Sequence, residues 1–86
     1  MPKYKISFRS SAAKEFKKLP LKIQQRIANK VEQLGIEPRI SGVSKLKGSD
    51  NLYRYRVGEY RIVYKIDDLK QKIILTRIRH RKDVYR

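Results

Sequence analysis

The stretch from Leu52 to Tyr64, LYRYRVGEYRIVY, constrains this chain most, because two strictly alternating runs joined by a glycine-bearing pair fold stably as an antiparallel hairpin. Tyr53, Tyr55 and Val57 share one side of the first strand, and Tyr60, Ile62 and Tyr64 share one side of the second. Gly58-Glu59 is the two-residue connection, with glycine where a hairpin turn requires positive φ. In that register Arg56 faces Arg61. Like charges directly opposed across a sheet destabilise it, whereas a guanidinium pair grips phosphate oxygens in forked contacts. An arginine-bearing open face therefore points to a polyanion. The tyrosines of the other face read as core or core-edge residues rather than as stacking platforms.

Composition agrees with that reading. The 86 residues carry a formal charge of +15 with a pI near 10.4, more than solubility requires and self-repelling in a compact domain. A negative partner is implied, and nucleic acid fits best because aromatic residues are interleaved with the arginines. No helix combines a basic face with Trp or Phe anchors, so no membrane partner is expected. The length predicts one domain over residues 1–86 with a modest core, and any active site should be an open groove rather than a buried chamber. With no cysteine and one histidine, His80, neither a disulfide framework, a metal site nor a bound cofactor is expected. The N-terminal MPKYKISF lacks the apolar run of a signal peptide, and no stretch approaches the roughly 18 apolar residues of a membrane span. The expectation is a soluble protein of the reducing cytoplasm.

Along the chain, Tyr4, Ile6 and Phe8 alternate with Lys3, Lys5 and Ser7 as a first strand. Ser10 and Ser11 offer N-caps for a short helix with apolar Ala12, Phe16 and Leu19. Pro20 opens a second helix carrying Ile23, Ile27, Val31 and Leu34, which Gly35 is expected to end. Lys22, Gln25, Arg26, Lys30 and Gln33 on its opposite face read as solvated. Residues 36–51 have loop chemistry, with Leu46 as an anchor that leaves Lys45 and Lys47 free. After the hairpin, Asp67-Asp68 reads as a turn and Gln71 to Arg79 as a fourth strand, whose register the apolar Ile73, Ile74, Leu75 and Ile78 leave open. The order β-α-α-β-β-β predicts an α+β fold: a four-stranded antiparallel sheet with the N-terminal helix pair packed on one face and arginines on the other.

Seven of the basic residues after position 44 are arginines, the side chain suited to phosphate recognition. The C-terminal segment holds Arg77, Arg79, His80, Arg81, Lys82, Tyr85 and Arg86 against the single acid Asp83. Because it leaves the fourth strand, His80, Arg81 and Tyr85 are expected to converge on Arg54, Arg56 and Arg61. Such a set meets the needs of metal-independent RNA cleavage, in which a ribose 2′-hydroxyl attacks the adjacent phosphorus. The reaction needs a base for the hydroxyl, cations for the phosphorane and an acid for the departing 5′-oxygen. Arginine supplies the cations but is too basic to accept a proton. Imidazole titrates near neutral pH, which makes His80 the natural proton-transfer group. Tyr85 offers a flat face for an unstacked base, a contact worth roughly 1 to 3 kcal/mol. Lys45, Lys47, Arg77, Arg79 and Lys82 are expected to bind RNA phosphates.

Taken together, K-L-K-G at 45–48, Y-R-Y-R-V-G-E-Y-R-I-V-Y at 53–64 and H-R-K-D-V-Y at 80–85 resemble the toxin of a RelE-type toxin–antitoxin pair, within the RelE/ParE superfamily. The resemblance covers essentially the whole chain. It implies an endoribonuclease that enters the ribosomal A site, beside the 16S rRNA, and cuts the messenger RNA there. The ends left are a 2′,3′-cyclic phosphate and a 5′-hydroxyl, and a cognate acidic antitoxin holds the toxin inactive. By position, Arg54 and Arg56 fall where the family often has two lysines, and Arg61 falls on the arginine that contacts the reacting phosphate. Arg81, or Arg79 given the variable tail spacing, falls on the arginine proposed as acid or leaving-group stabiliser, and Tyr85 on the base-stacking aromatic. A histidine near the C-terminus takes part in proton transfer in one branch, so His80 is read as the base. Two rivals are a ParE-like toxin that inhibits DNA gyrase without cutting RNA, and a non-enzymatic nucleic-acid binder.

Overall fold

The computed structural model describes residues 3–40, 42–46 and 51–84. Its elements are β1 (Lys5–Phe8), α1 (Ser10–Lys17), α2 (Leu21–Ile36), β2 (Val43–Lys45), β3 (Leu52–Val57), β4 (Tyr60–Asp67), β5 (Lys72–His80) and α3 (Arg81–Val84). The fold is α+β, and the hairpin has the expected register: Tyr53 pairs with Tyr64, Tyr55 with Ile62, Arg56 with Arg61 and Val57 with Tyr60. Gly58 makes its turn at φ +59°. The sheet, however, is five-stranded and mixed, in the order β1-β5-β4-β3-β2, rather than four-stranded and antiparallel.

Both departures have physical causes. β1 lies parallel to β5, setting Ile6 against Ile73 and Phe8 against Leu75. This makes β5 an interior strand of the sheet, flanked by β1 and β4. Its alternation is broken by a bulge opposite Val63/Tyr64, with Val63 paired to Arg77 but Tyr64 to Leu75, so that Thr76 falls outside the ladder. Ile73, Leu75 and Ile78 therefore all reach the core, a spacing that no unbroken strand provides. The extra strand, β2, comes from the expected loop: Val43 pairs with Tyr55 and Lys45 with Tyr53. Gly42 precedes it at φ +96°, where an added Cβ would lie 3.2 Å from the Tyr55 ring. Only glycine lets the chain enter this edge so close to the tyrosine.

α2 lays Ile27, Val31 and Leu34 onto Ile62, Tyr64, Ile66, Ile73, Leu75 and Ile78. Tyr64 is fully buried and its hydroxyl donates to the Pro38 carbonyl at 2.9 Å, while burial raises its phenol pKa. Gly35 does not end α2, which runs on to Ile36; instead its carbonyl accepts the Tyr4 N–H at 2.8 Å. Neither serine caps α1, whose N-cap is Arg9 without a side-chain cap bond. β1 stops at Phe8 while β5 continues to His80, which leaves backbone groups of the β5 edge exposed. α1 covers them. The Ser11 hydroxyl donates to the Thr76 carbonyl at 2.8 Å, and Glu15 Oε1 accepts the Ile78 N–H at 2.8 Å.

At the far end, Asp68 in the β4–β5 turn accepts the Tyr4 hydroxyl at 2.7 Å and two Arg39 guanidinium bonds at 3.3 and 2.9 Å. Arg39 also sits 5.4 Å from the Tyr53 ring centroid. The Arg39 bonds, then the Tyr4 hydroxyl, hold the Asp68 carboxyl below its ordinary pKa. No helix of the described residues is long and apolar enough to cross a membrane.

Candidate functional site

Cross-strand partners share a face, so the register fixes what the sheet shows opposite α2. One row is Arg56–Arg61–Arg79 across β3, β4 and β5; the next is Arg54–Val63–Arg77; a third is Leu52–Lys65–Ile74. Three guanidiniums thus stand side by side. Among the described residues none of Arg54, Arg56, Arg61 or Arg79 has a carboxylate within ion-pair distance, while Arg77 meets Glu15 Oε2 at 3.2 Å. Three neighbouring cations without counter-charge repel one another, and an arriving phosphate relieves that repulsion.

At the hairpin end the row opens into a shallow depression of about 60 Å³ lined by Arg56, Glu59, Tyr60, Arg61 and Arg81. The Arg81 N–H donates to the Glu59 carbonyl at 2.8 Å, which carries the β4–β5 pairing one step past Tyr60–His80 and sets Arg81 beside the arginine row. Arg56 Nε donates to the Gly58 carbonyl at 3.1 Å, fixing its guanidinium against the turn. The Glu59 carboxylate lies 4.0 Å from Arg81 Nη1 and 3.9 Å from His80 Nε2. At the opposite end of the same face, Arg9, Lys65 and Arg77 border a wider groove of about 480 Å³.

The expected convergence of His80 on Arg54, Arg56 and Arg61 is not what the strand provides. His80 is the last residue of β5 and pairs with Tyr60, so alternation turns it to the α2 side of the sheet. Its ring packs edge-on against Tyr60 with centroids 5.0 Å apart. The Lys82 N–H donates to its Nδ1 at 3.2 Å, so that nitrogen is already an acceptor and Nε2 faces Glu59. Lys45 pairs with Tyr53 and likewise shares the tyrosine face rather than the arginine face. Arg54 and Arg77 lie one row from the depression, Arg79 lies in the row, and Lys82 is exposed on α3. Lys47 and Tyr85 lie outside the described residues. Among the described residues no three His, Cys, Asp or Glu side chains are grouped to hold a metal ion. In sequence Glu59 reads only as a turn residue, although its place beside Gly58 puts it at the hairpin end next to Arg56 and Arg61.

The family model for the ParE toxin of type II toxin–antitoxin systems, parDE, matches residues 6–85. The chain belongs to this toxin family. Within it the chain is of RelE type. It is 34% identical over 87 residues to a RelE-like toxin protein of Escherichia coli, covering 96% of this chain and 90% of the relative. It is 29% identical to the mRNA interferase toxin RelE of Escherichia coli strain K12, over 95% of this chain and 90% of the relative. The RelE of the archaeal RelE–RelB complex from Pyrococcus horikoshii superposes with a TM-score of 0.82 at 26% identity, covering 92% of this chain and 96% of that one. A toxin of this type therefore carries the arginine face described above.

Proposed function

We propose that this toxin is a metal-independent endoribonuclease that cuts messenger RNA in the ribosomal A site and is silenced by a cognate acidic antitoxin. The observation that carries the reading is the row Arg56–Arg61–Arg79, without an ion-pair partner among the described residues and flanked by Arg81, on the uncovered face of the sheet. Similarity to the mRNA interferase toxin RelE of strain K12 supports the activity, and the Pyrococcus complex with RelB supports an antitoxin partner.

In this reading the scissile phosphate sits on Arg56, Arg61 and Arg81, with Arg79 at its side. Guanidiniums held by strands are oriented before the charge develops, so they stabilise the phosphorane without reorganising. Arg54, Arg77 and Lys82 hold flanking phosphates, Lys45 and Lys47 reach ribosomal RNA, and Tyr85 stacks on a messenger base. The open face, with a depression of only about 60 Å³, cannot by itself align a free RNA strand for in-line attack, so the ribosome supplies that positioning. The place of action is the cytoplasm. Primer extension on a messenger in a reconstituted translation reaction tests the reading. Cuts within codons, carrying cyclic-phosphate ends, are expected. Stalled gyrase with intact RNA would point to ParE-like action, and RNA binding with neither outcome to a simple binder.

A further inference from the structure

We propose that Glu59 is the general base that takes the proton of the attacking ribose 2′-hydroxyl; this rests on the ribonuclease reading above and names a group which that reading leaves open. The depression on the arginine row is lined by Arg56, Glu59, Tyr60, Arg61 and Arg81. Three of these are permanent cations and one is a phenol, so the Glu59 carboxylate is the lining group built to accept a proton. A phosphate seated on the three guanidiniums brings its neighbouring ribose to the rim of the depression, where that carboxylate stands.

His80 is the natural competitor, and the geometry disfavours it. Its Nδ1 accepts the Lys82 N–H, its neutral ring therefore carries the proton on Nε2, and Nε2 points at Glu59 from 3.9 Å. A ring in that state faces the carboxylate with a donor. It serves as a positioning residue, holding Glu59 from the tyrosine side as Arg81 holds it from the other at 4.0 Å. Among the described residues the charged and titratable groups around Glu59 are Arg56 from β3, Tyr60 and Arg61 from β4, His80 from β5 and Arg81 from α3. Arg26 of α2 adds a guanidinium against the Gly58 side of the turn. Cations dominate this set, so the carboxylate sits where an anionic strand is drawn in.

The step balances without a further reactant beyond solvent. Glu59 removes the 2′-hydroxyl proton, the O2′–P bond forms, and the P–O5′ bond breaks with its electron pair passing to O5′. Arg81 and Arg79 stabilise that alkoxide until it takes a proton from water, and the hydroxide so formed recovers the proton from Glu59. The products are a 2′,3′-cyclic phosphate and a 5′-hydroxyl.

The test measures single-turnover cleavage of ribosome-bound messenger against pH for wild type, Glu59→Gln, Glu59→Asp, His80→Ala and Arg61→Ala, with the melting temperature of each. Glu59→Gln should fold normally and lose about 10²- to 10⁴-fold in rate, together with the acid limb of the profile. Glu59→Asp should retain that limb at a reduced rate. His80→Ala and Arg61→Ala should cut more slowly yet keep the limb. Glu59→Gln cutting at the wild-type rate or faster would make Glu59 only a counter-charge for Arg81, and would overturn the proposal. Loss of the limb in His80→Ala but not in Glu59→Gln would assign the proton to His80 and overturn it too. A wild type that leaves ribosome-bound messenger intact would instead overturn the ribonuclease reading, and the base assignment with it.

Discussion

Glu15 shows how much of the fold rests on one side chain that the strand pattern does not reveal. Its Oε1 accepts the Ile78 N–H at 2.8 Å on the β5 edge beyond β1, and its Oε2 meets Arg77 Nη2 at 3.2 Å. Glu15→Ala leaves a part-buried N–H beside the strand that carries Arg77, Arg79 and His80. A hydrogen bond to a charged group contributes about 1.5 to 3 kcal/mol. The half-exposed pair with Arg77 adds roughly 0 to 1 kcal/mol. A loss of about 2 kcal/mol is therefore expected, which for a domain of this size lowers the melting temperature by about 8 to 16 °C. Glu15→Gln keeps a carbonyl acceptor and should lose less than half of that. Thermal and urea unfolding would give the stability difference, and hydrogen exchange would report the Ile78 amide directly. A change below about 0.5 kcal/mol, the size of an ordinary surface substitution, with the Ile78 amide as protected as before, would refute the idea that α1 seals this edge.

Other consequences reach the site and the far end of the sheet. Arg61→Ala should lower the cleavage rate by about 10²- to 10³-fold, the loss typical of one preorganised oxyanion donor, with the melting temperature little changed; a rate within twofold of wild type would remove Arg61 from the phosphate site. RNA affinity should fall steeply with salt, with a log–log slope of about −0.7 for each phosphate neutralised on a single strand, and a flat response would contradict the electrostatic account. The Asp68 carboxyl has a folded pKa below its unfolded value of about 3.9, so its contribution is present above that value and vanishes as pH falls through the folded pKa. The stability gap between wild type and Asp68→Asn should accordingly be widest near neutral pH and close in acid; a gap that stays constant down to pH 2 would show that the Arg39 and Tyr4 contacts do not act through ionisation.

What was legible in the sequence was whatever local periodicity controls. The hairpin, its turn at Gly58 and the facing Arg56 and Arg61 follow from alternation and one glycine, and these alone establish the arginine face. The second helix was legible for the same reason. What was hidden depends on long-range partners. The parallel pairing of β1 with β5 joins residues far apart in the chain, and no local pattern announces it. The bulge at Thr76 then reset the alternation, so the side of the sheet that His80 occupies could not be counted from the core positions upstream. β2 was concealed because three residues with one apolar side chain, Val43, carry no period, and Ser11 bonds to Thr76 rather than capping its own helix. Glu59 is an ordinary turn residue in sequence and becomes a site residue only when Arg81 returns beside it.

On the function proposed here, a preorganised arginine row cuts messenger RNA only in the frame the ribosome provides. The most direct measurement places one labelled messenger with wild-type toxin in two reactions, with and without programmed ribosomes, in the presence of excess chelator, and maps the ends by primer extension. Cuts inside codons, with 2′,3′-cyclic phosphate ends, are expected in the ribosome-containing reaction, and intact messenger in the other. Equal, site-selective cutting of naked RNA, or intact messenger on the ribosome, would contradict it.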